Sequence, residues 1–282
     1  MSAPLPSADV TSREAPLEYW FIKLHAGELA FLVDFIIRRQ VGAAEVRVSL
    51  WVRRKGRVVR FPAAMWSANR AEVAIADNLL TEQASRGHVD DVEWDLRYDP
   101  GSARVAPAVP LLSAFHPFDL ELISRPRVVF NGYVSVAGER FNVAEVEGLL
   151  THYWGRRLPD SWRWLSAGGF GGTDLAVESV LMRSRLWGRR PALAAGYLWM
   201  QENGRERLSI SPATALITAS GTPTDFVLVG HSLHGTVRMH CSAGAGDFND
   251  LSEGIRQTLH GTCSMIGQGR SSTMAGIEYR NL

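Results

Sequence analysis

The sequence predicts an all-β protein built from two antiparallel barrel or sandwich domains. Short runs rich in β-branched and aromatic residues recur along the chain, separated by Gly, Pro and Asn/Asp turn residues. Few segments keep an apolar stripe of period 3.6 long enough for an amphipathic helix. The strand-like runs fall into two series, divided at 103–126 by a stretch with prolines and little periodicity. A chain of 282 residues is long enough for two ordinary domains.

Residues 1–16 are polar and Pro/Ala/Ser-rich and read as a flexible tail, without the basic and apolar regions of a secretory signal. The first domain is placed at 17–124. Its strands are Glu18–Leu24, Glu28–Ile37, Glu45–Val52 and Arg57–Phe61, punctuated by Ala26-Gly27, Val41-Gly42 and Lys55-Gly56. Val73–Ala76, His88–Tyr98 and Phe118–Ile123 continue the series, with a turn at Asp99-Pro100-Gly101-Ser102. The second domain is placed at 125–282. Arg127–Val136, Glu139–Val146, Trp162–Ser166, Ala176–Trp187, Ala192–Glu202 and Glu206–Ser211 are its first strands. Ala213–Ala219, Asp225–His231, Gly235–Ser242, Ile255–Ile266 and Ser272–Arg280 complete it. Ala71–Gln83 and Asn249–Thr258 are read as two short helices.

A hydrophobic fraction of 46% and a charged fraction of 21% are those of a soluble globular protein, and a net charge of +1 gives no pull toward nucleic acid or acidic membranes. No apolar run reaches the roughly 18 residues of a membrane span, so the expected compartment is the cytoplasm. Cys241 and Cys263 make neither a disulfide framework nor a zinc knuckle and read as reduced, buried thiols. His231, His234 and His240 do not have a zinc signature, since strand residues 231 and 234 would face opposite ways. Gly168-Gly169-Phe170-Gly171-Gly172 lacks the Lys-Ser/Thr of a phosphate loop and reads as a strand connection. No Gly-x-Ser-x-Gly elbow is present. No cofactor is expected, and the expected partner is a hydrophobic small molecule; no motif bears on oligomeric state.

The segment 151–170 stands out, because it holds three of the nine tryptophans, Trp154, Trp162 and Trp164, interleaved with three arginines. Such a cluster either closes a structure by Trp–Arg stacking or walls a ligand site. Trp154-Gly155, Leu158-Pro159, Trp162-x-Trp164 and Phe170 also follow a recognisable spacing. With them, Gly148 to Phe170 resembles the tocopherol cyclase and carotenoid 1,2-hydratase group of lipocalin-like (calycin) proteins, whose relatives include fungal decalin-forming Diels–Alderases. Tyr153 replaces the usual Asn. Ser166, Gly168 and Leu150 replace a Gln, an Asn and an acid of the tocopherol cyclases, which points away from tocopherol cyclisation. The resemblance implies two lipocalin-like domains packed together, an apolar pocket at or near their interface, and cofactor-free alkene hydration, ring closure or pericyclic cyclisation.

Strand parity puts His152 and Trp154 on one face and Trp162 and Trp164 on another. His152 is a candidate acid or base, and His152-x-Trp154 looks like a pair associated with activity in the carotenoid hydratases. The alternative is a histidine hydrogen-bonded at a domain seam. Trp154, Trp162 and Trp164 are candidate cation-stabilising walls, or core stacked on Arg156 or Arg157. Glu178 shares its face with Ala176, Val180 and Met182, where burial would raise its pKa and make it a proton donor; the alternative is a salt bridge to an arginine such as Arg163. Tyr197 and Trp199 could extend the pocket or pack in the core. Glu278 is read as a barrel-closing ion pair, with catalysis as the alternative. The functional expectation is a cyclase or hydratase acting on a polyene, isoprenoid or polyketide-like substrate by substrate folding and acid catalysis. A pericyclase needing no proton donor and a lipid or isoprenoid carrier are the alternatives.

Overall fold

A computed structural model describes residues 10–106, 120–186, 189–233, 235–252 and 254–280. The strands of the first sheet are β1 (Leu17–Ala26), β2 (Leu29–Arg38), β3 (Ala43–Val52), β4 (Lys55–Ala63), β5 (Trp66–Ala68), β6 (Glu72–Ile75), β7 (Asn78–Thr81), β8 (Ala84–Val89), β9 (Val92–Asp99), β10 (Leu120–Val136) and β11 (Glu139–Gly155). They pair in the order β4-β3-β2-β1-β11-β10-β9-β8-β7-β6-β5. The strands of the second are β12 (Ser161–Ala167), β13 (Ala176–Leu186), β14 (Arg189–Glu202), β15 (Arg205–Ser211), β16 (Ala215–Gly221), β17 (Asp225–Ser232), β18 (Gly235–Ser242), β19 (Asn249–Ser252), β20 (Ile255–Met265) and β21 (Arg270–Arg280). Their order is β15-β14-β13-β12-β21-β20-β18-β17-β16, with β19 beside β20. Each sheet curls into a nearly closed barrel, and no α-helix occurs among the described residues.

The burial patterns explain which strands carry the site. β9 alternates buried and exposed residues without a break, as a strand with one wet face must. β2, by contrast, is buried on both faces along nearly its whole length. One face of β1–β3, with Trp20, Ile22, Leu24, Phe31 and Phe35, fills the first barrel. The other face, with Phe21, Ala30, Leu32 and Trp51, joins Trp164, Val180, Met182, Tyr197 and Trp199 of the second sheet in a separate apolar cluster. That cluster holds the two barrels together. Lys23 crosses the seam, its Nζ donating to the Ser166 carbonyl at 3.0 Å and to Ser166 Oγ at 3.3 Å.

Several expectations change. The first barrel runs to Gly155, because β10 and β11 pair with β9 and β1; residues 125–155 therefore join the first unit rather than the second, and the crossing lies at 156–160. Ala71–Gln83 is two short strands, β6 and β7, and Asn249–Thr258 spans β19 and the start of β20. In both cases cross-strand pairing overrides a weak helical period. Of the expected tail, Val10 is buried and its carbonyl accepts from Trp20 Nε1 at 3.1 Å, while Arg13 and Glu14 are exposed. Residues 1–9 lie outside the described set. Cys241 and Cys263 are free, buried and register neighbours on β18 and β20.

Glu18 is anchored from the same segment. Its carboxylate accepts from Ser12 Oγ and the Arg13 amide, each at 2.8 Å, and pairs with Arg39 at 2.8 Å and His152 at 3.3 Å. Burial pushes this carboxyl up, but the bonds from His152, Arg13 and Ser12 outweigh it and hold it below the usual value. A depressed folded pKa stabilises above the unfolded value, about 4.3, and that stability is lost as pH falls through the folded pKa. Glu18→Gln is therefore expected to lower stability at neutral pH and to flatten its decline below about pH 4.3. Thermal unfolding across pH checks this.

Candidate functional site

A slot opens where the two barrels meet. Tyr19, Phe21, Leu32, Asp34, Arg47 and Tyr153 line it from the first sheet, and Trp162, Trp164, Val180, Met182, Gln257 and Glu278 from the second. With its open mouth it spans about 610 Å³, much of it open to solvent, and its enclosed part is small beside the about 300–1,000 Å³ of small-molecule sites. The space is thin, with only about 50 Å³ wide enough to admit the centre of a water molecule. Its aromatic walls are ordered: Phe21 stacks on Tyr153 with centroids 5.9 Å apart and meets Trp164 edge-on at 5.7 Å.

Polar groups converge from both sheets. Asp34 sits mid-strand in β2, opposite Arg47 in the β2–β3 register, and Arg47 Nε donates to Asp34 Oδ2 at 2.6 Å. Arg47 also donates to the Tyr19 hydroxyl. Facing them, Glu278 Oε1 accepts from Trp162 Nε1 at 2.8 Å and its Oε2 from Gln257 Nε2 at 2.7 Å. Burial pushes Glu278 above the usual carboxylate range; Arg47, Trp162 and Gln257 pull it down and Asp34 adds to the rise. Burial also raises Asp34 against the pull of Arg47. The Tyr19 and Tyr153 phenols are driven well up by desolvation and stay neutral. The arrangement offers carboxyls with raised pKa values, neutral phenols and a fixed guanidinium against flat aromatic walls.

The candidates from the sequence separate into three places. Trp162 and Trp164 line the slot. Glu178, Tyr197 and Trp199 are buried in the seam behind it. Glu178 accepts from Ser124 Oγ at 2.7 Å and from Trp164 Nε1 at 3.4 Å, and Ser124 Oγ meets Thr151 Oγ1 at 2.9 Å. Burial raises its pKa, as expected, but its partners are Ser124 and Trp164 rather than Arg163, which instead lies over Phe226. His152 and Trp154 face away from the slot. His152 stacks on Trp20 with centroids 4.5 Å apart, and β-strand parity sends these side chains opposite to Tyr153. Arg13 lies over Trp154 and Arg280 over Trp162. Glu278, read as an ion pair, instead lines the slot. Asp34, Arg47, Tyr19, Tyr153 and Gln257 were not singled out; the one signal was an acid set inside the apolar run of β2. His231 contacts Thr236 and His240 pairs with Asp225, while His234 lies outside the described residues.

Gly276 fixes the position of Trp164. A Cβ there would stand 2.8 Å from two carbons of the indole ring. Gly276→Ala is expected to cost about 1–3 kcal/mol by overpacking and to displace Trp164 from the slot wall, read as a lower Tm and a shifted tryptophan emission.

No protein-family model matches the chain, and no curated protein matches its sequence. Solved structures do match over nearly the full length. A provisionally assigned AttH from Nitrosomonas europaea is 14% identical with a TM-score of 0.68, covering 99% of this chain and 97% of that one. Kievitone hydratase from Nectria haematococca is 11% identical with a TM-score of 0.68, covering 98% and 92%. CghA is 8% identical with a TM-score of 0.69, covering 100% and 94%. At these identities the likeness is one of fold: the chain has the two-barrel, lipocalin-like architecture of these proteins.

Proposed function

We propose that this chain is an enzyme that hydrates or cyclises an apolar, conjugated small molecule held in the slot between the barrels, with Glu278 as the proton donor. The observation that carries the reading is a half-buried carboxyl at the aromatic slot, oriented by Trp162 and Gln257 and raised above its usual pKa. Such an acid keeps its proton to higher pH than a free carboxyl and can release it to an alkene or carbonyl. Protonation leaves the charge on the substrate and a carboxylate at Glu278. Trp162, Trp164 and Tyr153 offer ring faces to that positive charge. Water, or an internal hydroxyl or alkene, then closes on the cation, and a proton returns to Glu278, so no oxidant or reductant is consumed. The narrow walls hold a flexible chain in a folded, reactive shape and lower the entropic part of the barrier. The shared fold with a hydratase, and the resemblance of 148–170 to a family whose relatives include Diels–Alderases, support this class of chemistry.

The test is turnover of apolar polyenes by the purified protein, wild type against Met182→Trp, which fills the slot. Loss of turnover in the variant, with a retained fold by circular dichroism, is expected. Full turnover in Met182→Trp would place the reaction elsewhere. Binding of the polyenes without conversion in the wild type would make the protein a carrier.

A further inference from the structure

The second barrel has a cavity of its own, of about 500 Å³, lined by Leu175, Met200, Val237 and Met265 and rimmed by Glu202, Asn203, Arg205, Arg207, Thr236 and Gln268. It is separate from the slot, with which it shares no lining residue. Leu175 and Met265 belong to the core of the second barrel, and Met200 packs against it, so the floor is apolar.

β15 is anomalous at this place. In the β14–β15 register Arg205, Arg207 and Ser209 pair with Glu202, Met200 and Leu198. Leu198 is a core residue, so this is the inner face of the strand. An inner face should be apolar, yet here it carries two arginines and a serine, while Leu208 points outward and is exposed. The Asn203-Gly204 hairpin turn, with φ of 50° and 70°, sets this register. A one-residue slip would put Leu208 inside and the arginines out. Among the described residues neither Arg205 nor Arg207 has an ion-pair partner, whereas nearby Glu202 is taken by Arg270. Two unpaired guanidinium groups thus stand at the mouth of a cavity with an apolar floor.

We infer that this cavity binds a single-chain fatty carboxylate, with its head between Arg205 and Arg207 and its tail against Leu175, Met200, Val237 and Met265. Guanidinium groups match a carboxylate in planar, charge-assisted hydrogen bonds. Methionines at the floor accommodate a flexible chain. The volume suits one acyl tail. This site stands independently of the proposed chemistry in the slot.

Titration calorimetry with dodecanoate and with its methyl ester, on the full chain, tests the head group. Dodecanoate is expected to bind at least about tenfold more tightly than the ester, and Arg205→Met with Arg207→Met to remove that difference. Both arginines are exposed, so the double variant keeps the fold. Methyl-labelled methionine NMR tests the place: dodecanoate should move Met200 and Met265 and leave Met182, in the slot, unchanged. Equal affinity for acid and ester, no binding of dodecanoate, or a shift at Met182 alone would each overturn the assignment.

Discussion

Glu278→Gln is expected to lower turnover of the slot's substrate by about 10²–10⁴-fold, the usual worth of a positioned general acid. The substitution is close to isosteric. The new amide oxygen still accepts from Trp162 Nε1, and the new amide nitrogen can donate to Gln257 Oε1, which is buried without a partner, if the Gln257 side chain turns over. The loss should therefore fall on kcat rather than on folding. The pH profile separates this from a structural effect. Burial raises the folded pKa of Glu278, so the proton-bearing form is fully present below that value and is lost as pH rises through it. Wild-type activity should decline on the alkaline side with this titration, and the residual activity of Glu278→Gln should lack that limb. Glu178→Gln is the comparison, because Glu178 lies behind Trp164 and outside the slot lining. A variant Glu278→Gln with unchanged kcat and an unchanged alkaline limb would remove Glu278 from the mechanism. A rate flat with pH in the wild type, abolished by Met182→Trp, would instead indicate catalysis by shape alone.

Asp34→Ala is expected to cost about 3–5 kcal/mol of stability, because it leaves the buried Arg47 guanidinium without its carboxylate. Arg47 stays charged at any ordinary pH, with Asp34 and Tyr19 favouring the cation. The paired replacement Asp34→Leu with Arg47→Met should cost much less and could stabilise, since it removes both desolvation penalties at once. Denaturant unfolding of the two single variants and the double variant measures the coupling. Near-additive effects would show that the pair does not act as a unit. The double variant should also lose slot function, because Arg47 no longer holds the Tyr19 hydroxyl or faces Glu278. The pair would then be kept for the site rather than for stability.

The strands were legible because their signals are local. Glu45–Val52, Asp225–His231 and Gly235–Ser242 coincide with β3, β17 and β18 to within two residues at either end, since β-branched runs ended by turn residues need no partner to be read. The two-barrel fold was legible through the motif at 148–170, although the barrels divide after Gly155 rather than near residue 124. That division was hidden because β10 and β11 look like any strands, and only their hydrogen bonds to β9 and β1 say which barrel owns them. The site was half legible. Trp162 and Trp164 were found by composition and do line the slot. His152 was placed by the same parity argument, but parity says which residues share a face, not what that face meets.

By itself, then, the sequence determined the all-β class, the positions of most strands and the pairing of side chains on faces, because period-2 alternation and turn chemistry are properties of neighbouring residues. The tertiary structure decided which face lines the candidate slot. In β1 both faces are apolar, Trp20 and Ile22 on one and Tyr19 and Phe21 on the other, so no pattern within the strand separates barrel core from slot wall. In the same way Glu178 and Glu278 are both acids in apolar strands with raised pKa values. Only the packing of β12, β13 and β21 against the first barrel puts Glu278 at the opening and Glu178 behind Trp164.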